Sequence, residues 1–420
     1  MWLDEAVCPF CSLLCDDLRL ERSADGAVTL IGPECPIARS GYAQAAAPID
    51  QPPSIDGEPA TERAAIERAA ALIAASAAPL VAGMAVDVDG VRAALALADA
   101  CGAAVDHLQS EGLIRLLLPL IEGGAVQTSL SEVRNRADFV LVLGPDPRRL
   151  APRLLERVLP PAGLFLPSGA KRRLIFLGDA PEAELPAHLV CDTISAPAGR
   201  LAELVGALVR LSSGGPLRRP EIAGVAVERL DELAQQLRQA RYGVALFAPG
   251  LMEGPQAEPA ISAMLHLVRE LNRVTRWAAL PIAGGDGLVG AAQAMLWQSG
   301  LPLRSRFDAM GPRFDPYRYS TQRLLAESEA DLLLWISALR PTPPPDSPVP
   351  LIALAHPQTR FARTPSVFLS VGVPGVDHGG VMFRTDGLVA LPLAPVRSAP
   401  RRNAAELLSA ILRALPGVAG

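Results

Sequence analysis

Three of the chain's six cysteines, Cys8, Cys11 and Cys15, fall within eight residues of "CPFCSLLCDDL", and a fourth, Cys35, follows in "GPECPIA". Two thiolates two residues apart can point to one side of a tight loop. A third three residues on and a distant fourth complete the four ligands of a [4Fe–4S] cube. Zinc is the rival, because C-x2-C is equally its signature. Zinc sites more often use two close pairs, so the close triplet plus one favours iron–sulfur. Core packing explains isolated cysteines well, and Cys101 and Cys191, each alone in an apolar run, are read that way. Four cysteines between positions 8 and 35 are hard to assign to packing alone.

Other side chains carry weaker signals. Asp377 and His378 in "GVDHGG" have the types of an acid/base pair, with Arg384 and Asp386 following in "FRTDG". A tight turn with a satisfied surface histidine is the plainer reading, since short motifs match by chance. His107 in "VDHLQ" sits at the end of a predicted strand, where open α/β sheets bind ligands, but it has no partner in sequence. "GGDGLVG" (284–290) lacks the strand-then-GxGxxG context of a phosphate loop and reads as a turn opening the helix "AAQAMLW". No GxSxG, HExxH or Walker A sequence occurs.

The elements that must position these groups fall into distinct regions. Residues 1–50 hold the four clustered cysteines and two alternating runs, "DLRLERS" and "AVTLIG", around "ADG", the pattern of a β-hairpin. "APIDQPPSIDGEPA" (47–60) has the composition of a linker. Beyond it, helices such as "TERAAIERAAALIAAS" alternate with continuous apolar strands such as "PLVAGMAV" and "DFVLVLGPDP". Strands buried on both faces and separated by helices predict parallel sheets with crossover connections. "FVLVLGPDP" and "LLLWISALRP" each follow a helix and an "AD" pair, which suggests two related α/β units. The expected fold is therefore α/β: a small N-terminal cysteine-bearing β domain followed by two Rossmann-like α/β domains.

Bulk properties narrow the partners. A net charge of −5 argues against nucleic acid, which needs a concentrated basic face. Low aromatic content (4%) removes a base-stacking platform. Lys171 is the only lysine, while arginine is plentiful, the mark of a GC-rich genome. No apolar run is long enough to cross a bilayer. "MWLDEAVCPFC" carries acids where a secretory signal would carry bases, and six cysteines make no disulfide framework. A cytoplasmic location with no membrane partner is expected.

"CPFCSLLCDDL" and "GPECPIA" resemble the N-terminus of the B subunit of formylmethanofuran dehydrogenase, a tungsten- or molybdenum-pterin oxidoreductase family. The resemblance continues through "TSLSEVRNRADFVLVLGPDP", "GGDGLVGAAQAMLWQSGLPLRSRFDAMGPRFDPYRYS" and "GVPGVDHGGVMFRTDGLVALPL". It implies an iron–sulfur-type domain over 1–50, a first α/β domain from 51–165 and 340–420, and a second inserted at 166–339. It also implies a pterin-bound metal held by one protein Cys or selenocysteine. The corresponding stretch, "AVDHLQSEGLIRLLLPL" (104–120), has no cysteine, and Ser110 or Glu111 stands near the ligand position.

This departure points to a lost tungsten/molybdenum pterin and to no catalytic residues of the chain's own. The homologous bacterial formyltransferase/hydrolase complex uses its B subunit without redox chemistry. The chain is thus expected to be a scaffold subunit in methanofuran-linked one-carbon metabolism. Its partners would be the hydrolase, formyltransferase and further subunits, and a [4Fe–4S] cluster could still bind Cys8, Cys11, Cys15 and Cys35. One alternative is a redox-active subunit with Ser110 or Glu111 as metal ligand. A stand-alone electron carrier is disfavoured by the mean hydropathy of +0.26, because surplus apolar surface usually marks interfaces.

Overall fold

The hairpin read around "ADG" is present in the computed structural model, which describes residues 2–24, 26–46, 51–397 and 401–417. Strand β2 (Leu18–Arg22) pairs antiparallel with β3 (Val28–Gly32), and β1 (Trp2–Ala6) adds to the other edge of β2. Helix α1 (Pro36–Ala46) starts directly after Cys35. Residues 47–50 lie outside the described set. The rest of the expected linker is partly strand. A short hairpin, β4 (Ser54–Ile55) and β5 (Glu58–Pro59), turns at Asp56-Gly57 and joins the edge of the main sheet. Asp-Gly turns permit such hairpins as readily as they mark linkers.

Helix α2 (Glu62–Ala75) is capped by Thr61, whose hydroxyl accepts from the Ala64 amide at 3.2 Å. Strand β6 (Pro79–Ala85) is buried along its whole length. Asp87 caps α3 (Val88–Cys101), which ends at Gly102 in the left-handed region. Strand β7 is only two residues long (Ala104–Val105), and α4 follows over Ser110–Gly123.

Residues 111–284 form one compact unit, and 1–110 with 285–420 form the other. The inserted unit thus begins and ends earlier than the 166–339 segment expected from sequence. "FVLVLG" belongs to the insertion and "LLLWIS" to the discontinuous unit, a division that sequence similarity between the two strands does not reveal. The cysteine-bearing N-terminal segment packs as part of the discontinuous unit.

The inserted unit contains α5 (Leu130–Arg136), β8 (Phe139–Leu143), α6 (Leu154–Val158), β9 (Arg172–Gly178) and β10 (Leu189–Ser195). It continues with α7 (Leu201–Ser212), a small hairpin of β11 (Glu221–Ile222) and β12 (Val225–Ala226), and α8 (Val227–Gln239). Strand β13 (Gly243–Phe247), α9 (Ala257–Leu271) and β14 (Trp277–Pro281) complete it. Its sheet is all parallel, in the order β10-β9-β8-β13-β14. Leu204, Leu208, Leu230, Leu237 and Met264, from α7, α8 and α9, bury against one face of it.

The chain then returns through α10 (Leu288–Ser299), β15 (Ser305–Arg306), β16 (Arg313–Phe314) and α11 (Thr321–Ala326). Strands β17 (Leu332–Ser337), β18 (Leu351–Ala355) and β19 (Val367–Ser370) follow, then the hairpin β20 (Gly380–Phe383) and β21 (Ala390–Leu393), and α12 (Ala404–Ala414). The main sheet runs β16-β15-β7-β6-β17-β18-β19-β4-β5. Its heart, β7-β6-β17-β18-β19, is parallel, and the outer pairs are antiparallel. Helix α12 packs on α2 and α3 through buried Leu407, Leu408 and Ile411.

The two "AD" pairs perform the same task in each unit. The Asp138 carboxylate accepts from the Arg241 and Tyr242 amides, both at 3.0 Å, just before β13. The Asp331 carboxylate accepts from the Ala77 and Ala78 amides at 2.8 and 3.0 Å, just before β6. In both cases an aspartate leading into one central strand clasps the backbone entering its parallel neighbour. Among the described residues no helix is long and apolar enough to cross a membrane.

Candidate functional site

Cys8, Cys11, Cys15 and Cys35 are all buried, and none forms a disulfide among the described residues. The loop that carries the first three is closed on itself. The Cys8 amide donates to the Cys15 carbonyl at 2.8 Å, and the Leu14 amide to the Cys11 carbonyl at 3.2 Å. Leu14 adopts a left-handed backbone, φ 45°, which turns the chain between the second and third cysteines. The sequence from Pro9 to Leu14 is apolar enough to bury such a turn, and Phe10, Leu13 and Leu14 are nearly inaccessible.

Burial pushes the Cys8 thiol up, and the neighbouring Cys11, Cys15 and Cys35 thiolate charges raise it further. Burial raises Cys11 to about 11, while the Leu13 and Leu14 amides and the Arg340 guanidinium act in the opposite direction. Four thiolates gathered without a cation are mutually repulsive. Amides aimed at cysteine sulfurs are what an iron–sulfur cluster's ligands receive. Among the described residues, no group of three or more His, Cys, Asp or Glu side chains stands as the shell of a single metal ion. By the chemistry of its donors, four buried cysteine sulfurs of which two receive backbone amides, the site is suited to an iron–sulfur cluster that Cys8, Cys11, Cys15 and Cys35 would hold.

Two other segments of the same unit close over this loop. The Thr385 amide donates to the Ser12 carbonyl at 2.7 Å. Gly375 lies against the Pro9 ring, and Gly285 against the Phe10 carbonyl and Cys11.

The stretch after β7, where the family's metal ligand would stand, holds a buried polar network. Asp106 accepts from the His107 amide at 2.9 Å, and from the Thr321 amide and hydroxyl at 2.7 and 2.9 Å. Arg304 lies 3.6 Å from the Asp106 carboxylate and donates to the Ser110 hydroxyl at 3.1 Å and the Pro316 carbonyl at 2.8 Å. His107 Nδ1 accepts from the Gln109 amide at 3.0 Å, so the ring's proton sits on Nε2 and is donated to the Asp286 carbonyl at 3.0 Å. Burial lowers the pKa of this histidine and keeps it neutral. Asp286 in turn receives a two-pronged Arg340 guanidinium at 2.8 and 2.7 Å and the Gln109 amide nitrogen.

Asp106, His107, Ser110, Asp286 and Arg304 are each at least nine-tenths buried. Ser110 is thus committed to Arg304. Glu111 is on the first turn of α4 and pairs with Arg115 at 3.4 Å. Neither residue is presented as a metal ligand. No thiol stands between Ala104 and Leu120, and this stretch does not fit a pterin-held metal.

"GGDGLVG" is the helix-opening turn expected from sequence. Gly287, φ 78°, is the N-cap of α10, and its absent side chain leaves room for the Val86 carbonyl. Asp377 and His378 do not form an acid/base pair. The Asp377 carboxylate takes Arg397 at 2.7 Å and the Val373 amide at 2.9 Å, whereas both His378 ring nitrogens face the carbonyls of Gly379 and Gly372. Arg384 and Asp386 are 3.8 Å apart in the turn between β20 and β21. Cys101 is half-buried at the end of α3, but Cys191 is exposed on the edge strand β10, so its apolar run does not make it a core residue.

That Arg304, Asp286 and Arg340 build the strand-end network was not legible in sequence, because all three are remote from residue 106 in the chain. Tyr42 and His356 were missed as well. His356 follows β18, and burial lowers its pKa to about 4.

The two sheets with parallel cores, one of them in a unit inserted into the other, define an α/β fold of the pterin-oxidoreductase type. In fold the chain is similar to acetylene hydratase from Pelobacter acetylenicus, with a TM-score of 0.65 at 11% identity, over 98% of this chain and 69% of that one. The chain belongs to the family of B subunits shared by formyltransferase/hydrolase complexes and formylmethanofuran dehydrogenases. It is 31% identical to the B subunit of the formyltransferase/hydrolase complex Fhc of Methylorubrum extorquens, across 84% of this chain and 93% of that protein. It is 26% identical to the B subunit of the tungsten-containing formylmethanofuran dehydrogenase 2 of Methanocaldococcus jannaschii, across 91% of each. Its structure matches a chain of the crystallised M. extorquens formyltransferase/hydrolase complex with methylofuran, with a TM-score of 0.74 and 29% identity, over 86% of this chain and 98% of that one. No protein-family model matches the sequence.

Proposed function

We propose that this chain is a redox-inactive scaffold, the B subunit of a methanofuran-linked formyltransferase/hydrolase complex that carries one-carbon units from formaldehyde to formate in the cytoplasm. The observation that carries this reading is the strand-end network. Where a dehydrogenase would present a thiolate or selenolate to tungsten or molybdenum, Ser110 is hydrogen-bonded to Arg304 and Asp106 faces the same guanidinium. A buried ion pair is costly to open, because either partner left alone is a desolvated charge. Formyl transfer and hydrolysis then belong to other subunits, and this chain supplies surface.

That surface has a suitable character. Helix α10, "LVGAAQAMLWQS", bears no charge although Leu296 and Trp297 are exposed. Trp297 stacks edge-on with Phe383 of β20, and Gln293 donates to the Gly387 carbonyl beside exposed Leu388. An exposed apolar patch of this kind is typical of subunit interfaces. The cysteine loop retains a [4Fe–4S] cluster as a structural tie rather than an electron carrier.

One elemental analysis of the anaerobically purified complex tests both halves. The expected result is about four irons per copy of this chain, with tungsten and molybdenum at trace level. Stoichiometric tungsten or molybdenum overturns the scaffold reading. Fewer than about one iron per chain overturns the cluster.

A further inference from the structure

Helix α1 brings a tyrosine onto the cysteine loop. Gly41 faces the Phe10 ring so closely that any side chain there would enter it. The next residue, Tyr42, is 1% exposed and meets Phe10 edge-to-face, with ring centroids 5.0 Å apart. Phe10 itself lies between Cys8 and Cys11. The Tyr42 hydroxyl is fully enclosed, yet it has no hydrogen-bond partner among the described residues. A buried O–H that gives up water without gaining an acceptor is destabilising, and phenylalanine would fill the same ring volume without that loss. The hydroxyl therefore calls for an acceptor.

The local chemistry indicates which acceptor. Tyr42 packs on Phe10, which stands between Cys8 and Cys11, and an ordinary phenol is protonated at neutral pH and so remains a donor. Phe10, Leu13 and Leu14 already aim backbone amides at the Cys8 and Cys11 sulfurs. We propose that the Tyr42 hydroxyl donates a hydrogen bond to a sulfur of a [4Fe–4S] cluster held by Cys8, Cys11, Cys15 and Cys35, and so sets that cluster's potential. This rests on the cluster reading given above. Hydrogen bonds to cluster sulfurs favour the reduced, more negative state and raise the potential.

Tyr42→Phe removes one oxygen and keeps the ring. In the anaerobically prepared complex, Y42F is expected to hold as much iron and acid-labile sulfide as the parent. Its cluster should titrate at a more negative potential and lose an exchangeable-proton coupling in electron–nuclear double resonance. The cluster-free Y42F chain should melt no lower than the cluster-free parent, because an unpartnered hydroxyl has gone. Placing 3-fluorotyrosine at position 42, a stronger donor, should move the potential the opposite way, and this arm stands even if Y42F fails to fold. Unchanged potential and coupling in a fully loaded protein overturn the role of Tyr42 and leave the cluster standing. A parent complex that binds no iron overturns both.

Discussion

Arg304 and Asp106 are the pair on which the strand end depends. Their side chains are 8% and 4% exposed and 3.6 Å apart, and Asp106 also anchors Thr321 at the start of α11. Removing one partner of such a pair leaves a buried charge uncompensated, so Asp106→Ala should cost about 3–5 kcal/mol. Ser110→Ala removes a single acceptor and should cost only about 1 kcal/mol. Denaturant unfolding of the two variants checks the ratio, and equal small losses would show that the network does not hold the strand end. His356 offers a second check. Its pKa of about 4 lies below the ordinary 6.5, mainly because of burial. The neutral ring is therefore favoured in the folded state. Its contribution is complete above about pH 6.5 and disappears as the pH falls through about 4, an effect of about 3 kcal/mol at most. Buried His107 shifts in the same direction. Thermal melts from neutral pH downward, over a range of about three pH units, should show a steep acid limb. His356→Phe should flatten it.

At the scale of elements, the turn into α10 is the sharpest constraint. Gly287 combines φ 78° with close approach to the Val86 carbonyl, and adjacent Asp286 is itself at φ 57°. Gly287→Ala should therefore cost at least the ~1–2 kcal/mol of a left-handed alanine, and it should displace Asp286 from Arg340. Loss of amide protection across 288–299 in hydrogen exchange is the measurement. This turn was readable in sequence because glycine signals are local. The parallel sheets were readable too, since "PLVAGMAV" and "FVLVLG" are buried on both faces and contain no alternation. The β4–β5 hairpin was not, because two-residue strands carry no periodicity and "SIDGEP" looks like any linker. The strand-end network escaped for a different reason. Asp106 and Arg304 are 198 positions apart in the numbering, and nothing in an isolated arginine reports which carboxylate it will meet. Domain limits were obscured likewise, since the two strands that resemble each other lie in different units.

For the molecule as a whole, the charge-free face of α10 with the β20–β21 hairpin should matter to assembly rather than to folding. Trp297 is 59% exposed and Leu388 72% exposed, so Trp297→Asp and Leu388→Asp should leave the melting temperature of the isolated chain nearly unchanged. In the complex they should reduce co-purification of the other subunits by tenfold or more, the order expected of about 1.4 kcal/mol or more at an aromatic anchor. Unaltered assembly would place the partner surface elsewhere. The closure over the cysteine loop has a consequence in time. Ser12 is tied to Thr385, and Pro9 lies against Gly375, so a ribosome must translate nearly the whole chain before the roof over Cys8, Cys11 and Cys15 exists. Until then these thiols are uncovered, so loading of the proposed cluster would be a matter of timing as much as of affinity.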